Sequence, residues 1–161
     1  MSWRDAYFLQ ARSDYDAFKE LNKPGLPLCH RLHYLQMAAE KLAKAYLSPS
    51  NGDPPKKGHL RLGTLLKVIK GRPEIRRNLG FGTNHHAFCS YVDSLTPFAG
   101  QIELLAPVGT DDRRMNAEYP WVDPTGQVVH PAIYGFPEFP KTELVKFQNF
   151  LSSLFRSISQ P

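Results

Sequence analysis

The run from Arg76 to His86, RRNLGFGTNHH, places two guanidinium groups, two carboxamides and two imidazoles on either side of a loop that carries Gly80 and Gly82. These side-chain types suffice for phosphodiester cleavage without a metal. An imidazole moves protons, and a guanidinium stabilises the negative charge that builds on the phosphorus-bound oxygens. Arg76, Arg77, Asn78, His85 and His86 are therefore the candidate residues for such chemistry if they meet around the loop. The ordinary alternative is a polar corner where one helix ends and the next begins. The glycines permit backbone conformations closed to other residues, so the path of the loop decides whether the two ends converge.

The surrounding charge favours a phosphate-bearing partner. The chain has 161 residues and a net charge of +5, and that charge is uneven. Lys56, Lys57, Arg61, Lys67, Lys70, Arg72, Arg76 and Arg77 crowd into residues 56–77, with Glu74 alone opposing them. Lys67, Lys70, Arg72 and Arg76 are the candidate contacts to a nucleic-acid backbone, an association that weakens with salt. Residues 93–143 lean the other way, with eight acids against Arg113, Arg114 and Lys141. The same asymmetry offers a route for one copy to meet another, and a solvated helix face is the plain alternative.

A second constellation uses different chemistry. Cys29 and His33 are four apart, as are His85 and Cys89, so each pair shares a face if its segment is helical. Two such helices side by side would present the tetrahedral Cys2His2 set that zinc accepts. Against this, neither pair has the short-loop spacing of a zinc module, and both cysteines flank apolar stripes where reduced core thiols are common. His30 and His33 also share a helical face, without an acid to complete a hydrolase set. The chain contains no phosphate loop, dinucleotide fingerprint or G-x-S-x-G elbow, so the sequence implies no cofactor.

Helices must position these groups. Leu28, Leu32, Leu35, Ala39, Leu42 and Tyr46 recur at steps of four and three, which predicts a long helix opened by Pro27 and widened on its apolar side by Ala38 and Ala45. Pro49, Gly52, Pro54 and Pro55 end it in a loop. Leu62, Leu66 and Ile69 predict the next helix. Gly71 and Pro73 interrupt it, leaving PEIRRNLGF as a separate short turn of helix. Asn84 suits the N-cap of a helix with the stripe Phe88, Tyr91 or Val92, Leu95, Phe98, Ile102 and Leu105, inside which Pro97 predicts a kink.

The flanks read similarly. Residues 3–22 predict one or two helical pieces with Tyr7, Ala11, Phe18 and Leu21 inward. Leu144, Phe147, Leu151, Leu154 and Ile158 predict a last helix capped by Thr142. The proline-rich residues 106–141 are an insertion between helices, with Asp123-Pro124-Thr125-Gly126 as the turn of a small β-hairpin within residues 119–131. Tyr119, Trp121, Tyr134, Phe136 and Phe139 are expected to cover one flank of the bundle. Asp14 and Glu40 are expected to pair with basic residues inside it. The fold class is thus all-α: an up-down bundle of four to five helices, in a single domain over residues 1–161. Its helical core is about 3–105, with a C-terminal helix over about 142–158. No apolar run reaches the length of a membrane span, and the N-terminus lacks a secretory pattern, so a cytoplasmic location is expected.

The stretches SDYDAFKELN, LCHRLHYLQMAAEKLAKAYL and GHLRLGTLL together resemble the HEPN superfamily of small helical domains. The likeness covers about residues 3–105 and is densest in LQMAAEKLAKAYL. It implies a helical bundle, usually a homodimer. Many members are metal-independent endoribonucleases of toxin, defence or RNA-processing systems, while others lack the active site and accompany a nucleotidyltransferase partner. The family motif is an arginine, often followed by a polar residue, then a gap of about four to six residues and a histidine. Arg77 and Asn78 match its start and His85 or His86 its end, but seven residues separate Arg77 from His85 and eight separate it from His86.

Overall fold

The computed structural model describes residues 1–49, 61–107 and 113–158. Six helices lie among them: α1 (Trp3–Glu20), α2 (Leu28–Leu47), α3 (Leu62–Ile69), α4 (Pro73–Asn78), α5 (His85–Glu103) and α6 (Lys141–Ile158). The strands β1 (Trp121–Val122) and β2 (Val128–Val129) form a small antiparallel hairpin between α5 and α6. The fold is an all-α bundle. The loop expected at Gly52, Pro54 and Pro55, together with Lys56 and Lys57, lies outside the described residues, as do Asp111 and Asp112 of the acidic segment.

The first two helices run antiparallel, since Phe18 meets Arg31, Asp14 meets Lys41 and Tyr7 meets Lys44 in reverse order along α2. The apolar stripe of α2 drives this packing: Leu32, Leu35, Ala39 and Leu42 are buried, and Ala38, Ala43 and Ala45 add small side chains to the buried surface. Each fully buried leucine contributes about 1.5–3 kcal/mol relative to exposure. The expected acid pairs form as well. Asp14 accepts from Lys41 Nζ at 2.6 Å, and Glu40 accepts from Lys44 Nζ at 2.5 Å and from Gln36 Nε2 at 2.9 Å.

Helix α3 has no side-chain cap of its own, and Glu103 at the end of α5 replaces it. Its Oε1 accepts from the amides of Leu62 at 2.7 Å and Gly63 at 3.3 Å, two of the unpaired donors of a helix start. Helix α5 continues through Pro97, with Phe88, Val92, Leu95, Phe98 and Ile102 buried. On α6, Phe147, Phe150, Leu151, Leu154 and Phe155 are buried, and Phe155 packs against Phe8 and Tyr15 of α1.

Two expectations are corrected here. Helix α6 begins at Lys141, and Leu144 N donates to the Pro140 carbonyl, so Thr142 lies inside the first turn rather than capping it. In the insertion, Trp121 and Phe136 are buried and Phe139 packs against Phe98, but Tyr119 is 55% exposed and does not cover the bundle. The hairpin turn is held by Asp123 Oδ1, which accepts from the amides of Thr125 and Gln127 and from Thr125 Oγ1.

Candidate functional site: the corner between α4 and α5

Pro73 starts α4, where its missing amide proton costs nothing, and the helix lasts only to Asn78. Buried Ile75 fixes the inward face of this short helix. Residues two apart on a helix point about 200° around the axis from one another, so Arg77 faces away from Ile75, into solvent. Arg76 and Asn78 flank it, and each is committed. Arg76 Nε donates to the Gly82 carbonyl at 2.9 Å, and Asn78 Nδ2 donates to Ser157 Oγ on α6 at 2.7 Å. The Arg77 side chain makes no hydrogen bond or ion pair among the described residues.

The loop between the helices is tightly tied. Gly80 N donates to the Arg77 carbonyl at 2.9 Å, Phe81 N to the Arg76 carbonyl at 3.1 Å, and Asn84 N to the Phe81 carbonyl at 2.8 Å. Gly80 and Gly82 adopt φ of 82° and 52°, the left-handed region that a β-carbon disfavours. Between them Phe81 turns inward against Phe88 and Tyr91 of α5, with ring centroids 5.7 and 5.2 Å apart. The chain therefore reverses within a few residues, and the end of α4 is tied to the loop at Phe81 and Gly82.

Asn84 caps α5 as its sequence position implies, with Oδ1 accepting from Ala87 N at 3.0 Å. His85 and His86 occupy the first two helical positions, and both are exposed. The positive end of the helix dipole favours an anion there. The two imidazoles differ in their surroundings: His85 Nε2 lies 3.4 Å from Cys89 Sγ, whereas His86 has no hydrogen-bond partner among the described residues.

The predicted backbone-binding cations divide as well. Lys67 is exposed on α3, but Lys70 forms an ion pair with Asp93 of α5. Arg72 lines a small cavity with Arg4, Tyr46, Glu74, Ser157 and Ile158, so it sits at the end of α4 that faces α1 and α6. The corner's own cations are Arg76 and Arg77. Ser157 and Phe81, which hold Asn78 and the loop, carry no chemical signature of their own in the sequence. Ser157 lies 79 residues from its partner.

The zinc arrangement does not form. Cys29 is 2% exposed within the core, and burial pushes its thiol up, away from the thiolate that a metal needs. His33 lies 3.8 Å from Glu118 and edge-on to Tyr34. His85 and Cys89 stay together at the exposed start of α5. Among the described residues no group of three or more His, Cys, Asp or Glu side chains is placed to hold a metal ion. No described helix is long and apolar enough to cross a membrane.

The chain matches no family model, no curated protein and no solved structure. The corner's chemistry thus stands on its own side chains: one free guanidinium, one free imidazole, a second imidazole beside a thiol, and a helix N-terminus, arranged around a rigid reversal.

Proposed function

We propose that this protein is a HEPN-type RNA-associated protein and that the α4–α5 corner is the site of metal-independent endoribonuclease chemistry. The observation that supports this reading is the tied loop: Arg76 Nε on the Gly82 carbonyl holds the arginine-bearing end of α4 to the loop that leads into the histidine-bearing start of α5. In this reading the reversal takes up the extra length between Arg77 and His85.

In the proposed reaction a phosphate of the RNA sits at the start of α5, with Arg77 against its non-bridging oxygens. His86 takes the proton of the ribose 2′-hydroxyl, whose oxygen attacks phosphorus. His85 donates a proton to the departing 5′-oxygen, and a 2′,3′-cyclic phosphate remains. The roles of the two histidines are interchangeable in the absence of a bound substrate. Lys67 and Arg76 provide further positive charge for the strand.

A second reading has its own support: a non-catalytic HEPN-type module that forms a homodimer or engages a partner of the nucleotidyltransferase kind. Asn78 favours it, because its side chain is spent on Ser157 and is directed to α6. One experiment separates the two. Purified protein incubated with RNA in EDTA cleaves it under the first reading. Under the second it leaves RNA intact while forming a stable dimer or hetero-complex.

A further inference from the structure

The start of α2, the start of α6, Phe18 of α1 and residues 137–139 of the insertion enclose a cavity of about 340 Å³. That is at the lower end of the range for small-molecule pockets. Its walls are largely apolar, with Phe18, Leu28, Leu32, Phe139 and Leu144 among them, and Arg31 of α2 stands in their midst.

Arg31 is chemically out of place there. Its Nε is shielded from solvent and has no hydrogen-bond partner, and the guanidinium forms no ion pair among the described residues. Its packing partner is the face of Phe18, 5.0 Å from the guanidinium carbon to the ring centroid. Arg31 is half-buried, and the partial desolvation of its charge with no acid beside it has a cost that an arginine cannot escape by losing its proton. The Phe18 ring face offsets part of that cost but supplies no counter-charge. Helix α2 opens with no side-chain cap and no acid in its first turn, and Lys141 adds a second positive charge at the start of α6. Glu138, the one acid in the lining, is exposed and makes no ion pair with Arg31.

We infer that this cavity binds a small organic carboxylate with an apolar body, its carboxylate on Arg31 and its body against Phe18, Leu28, Leu32 and Leu144. A guanidinium presents parallel donors that fit a carboxylate, which supplies the missing acceptors and the missing charge together. The apolar walls account for the rest of the ligand and disfavour an inorganic anion, which would bury its charge without filling the space. The site shares no residue with the α4–α5 corner, so it stands whether or not that corner cleaves RNA.

The test uses octanoate and its uncharged counterpart octanol, titrated calorimetrically into the full chain, with Arg31→Met to remove the charge and Leu28→Trp to fill the cavity. Saturable one-to-one binding of octanoate is expected, with no comparable binding of octanol. Affinity should fall about tenfold or more in Arg31→Met, in line with the loss of a charged hydrogen bond. Leu28→Trp, which leaves Arg31 in place, should block binding. Absence of saturable octanoate binding at millimolar concentration overturns the assignment, as does equal binding of octanol. If Arg31→Met fails to fold, undiminished binding by folded Leu28→Trp overturns it on its own.

Discussion

Arg76 Nε and the backbone carbonyl of Gly82 are joined by a 2.9 Å hydrogen bond that closes the loop between α4 and α5. Through it an arginine acts on backbone geometry, leaving its neighbour Arg77 free for a ligand. Arg76→Ala should therefore lower RNA cleavage by disturbing the position of His85 and His86, at a cost to stability of about 1 kcal/mol. Rate assays beside thermal melts check this: activity unchanged by Arg76→Ala would remove the bond from the account.

The glycines give a contrast in sign. Gly82→Ala places a β-carbon at φ 52° with no atom within 4 Å, so its penalty is conformational, about 1 kcal/mol. Gly100 sits within α5, also with no atom within 4 Å of an added β-carbon. Gly100→Ala should stabilise by about 0.5–1 kcal/mol. Chemical denaturation of both variants should move the midpoints in opposite directions.

Much of this was legible in the sequence, for local reasons. The stripe from Leu28 to Tyr46 required a helix, Pro73 and the glycines required breaks around a short α4, and Asn84 carried the chemistry of a cap at the start of α5. The fate of Asn78 was not legible, because Ser157 comes to it only when α4 packs on α6. The Cys29 and Cys89 pairs looked alike by spacing, yet packing sent one cysteine into the core and left the other beside a surface histidine. Thr142 failed as a cap for a smaller reason: the helix begins two residues earlier, using the carbonyl of Pro140. Arg31, whose surroundings are its whole interest, gives no sign in a string of letters.

The buried ion pair between Asp14 and Lys41 should be costly to break on one side. Asp14→Ala leaves the Lys41 ammonium in a largely buried position without its 2.6 Å partner, a loss of about 3 kcal/mol. The double change Asp14→Leu, Lys41→Met should restore most of that. A double-mutant cycle by urea denaturation measures it, and equal losses in the single and double variants would contradict it.

Tyr46 and Tyr91 both tie the bundle to α6, donating to the carbonyls of Leu154 at 2.9 Å and Lys146 at 3.2 Å. Burial pushes both phenols up to about 12 from the usual 10.0. A folded-state value raised in this way contributes stability that is fully present below pH 10 and is lost as pH rises toward 12. Alkaline unfolding is expected in that window. Tyr46→Phe and Tyr91→Phe should each flatten the loss, a change that melting temperatures between about pH 9 and pH 12 would reveal.

The exposed basic residues near the corner should make RNA binding salt-dependent. Lys67→Ala is expected to weaken binding by a similar factor for all RNA sequences, because a phosphate contact carries no base information. Affinities measured across a salt series should show a shallower slope for the variant than for the parent. An unchanged slope would take Lys67 out of the binding surface.

The most direct test of the central claim is cleavage of single-stranded RNA in EDTA by the parent protein, by Arg77→Ala and by the double variant His85→Ala, His86→Ala. Arg77, His85 and His86 are all exposed, so the variants should keep the parent's circular-dichroism spectrum. The account predicts 2′,3′-cyclic phosphate ends from the parent, no cleavage of the matching DNA, which lacks the 2′-hydroxyl, and a rate loss of about a hundredfold or more in both variants. RNA left intact by the parent, or cut equally well by the folded variants, would contradict it.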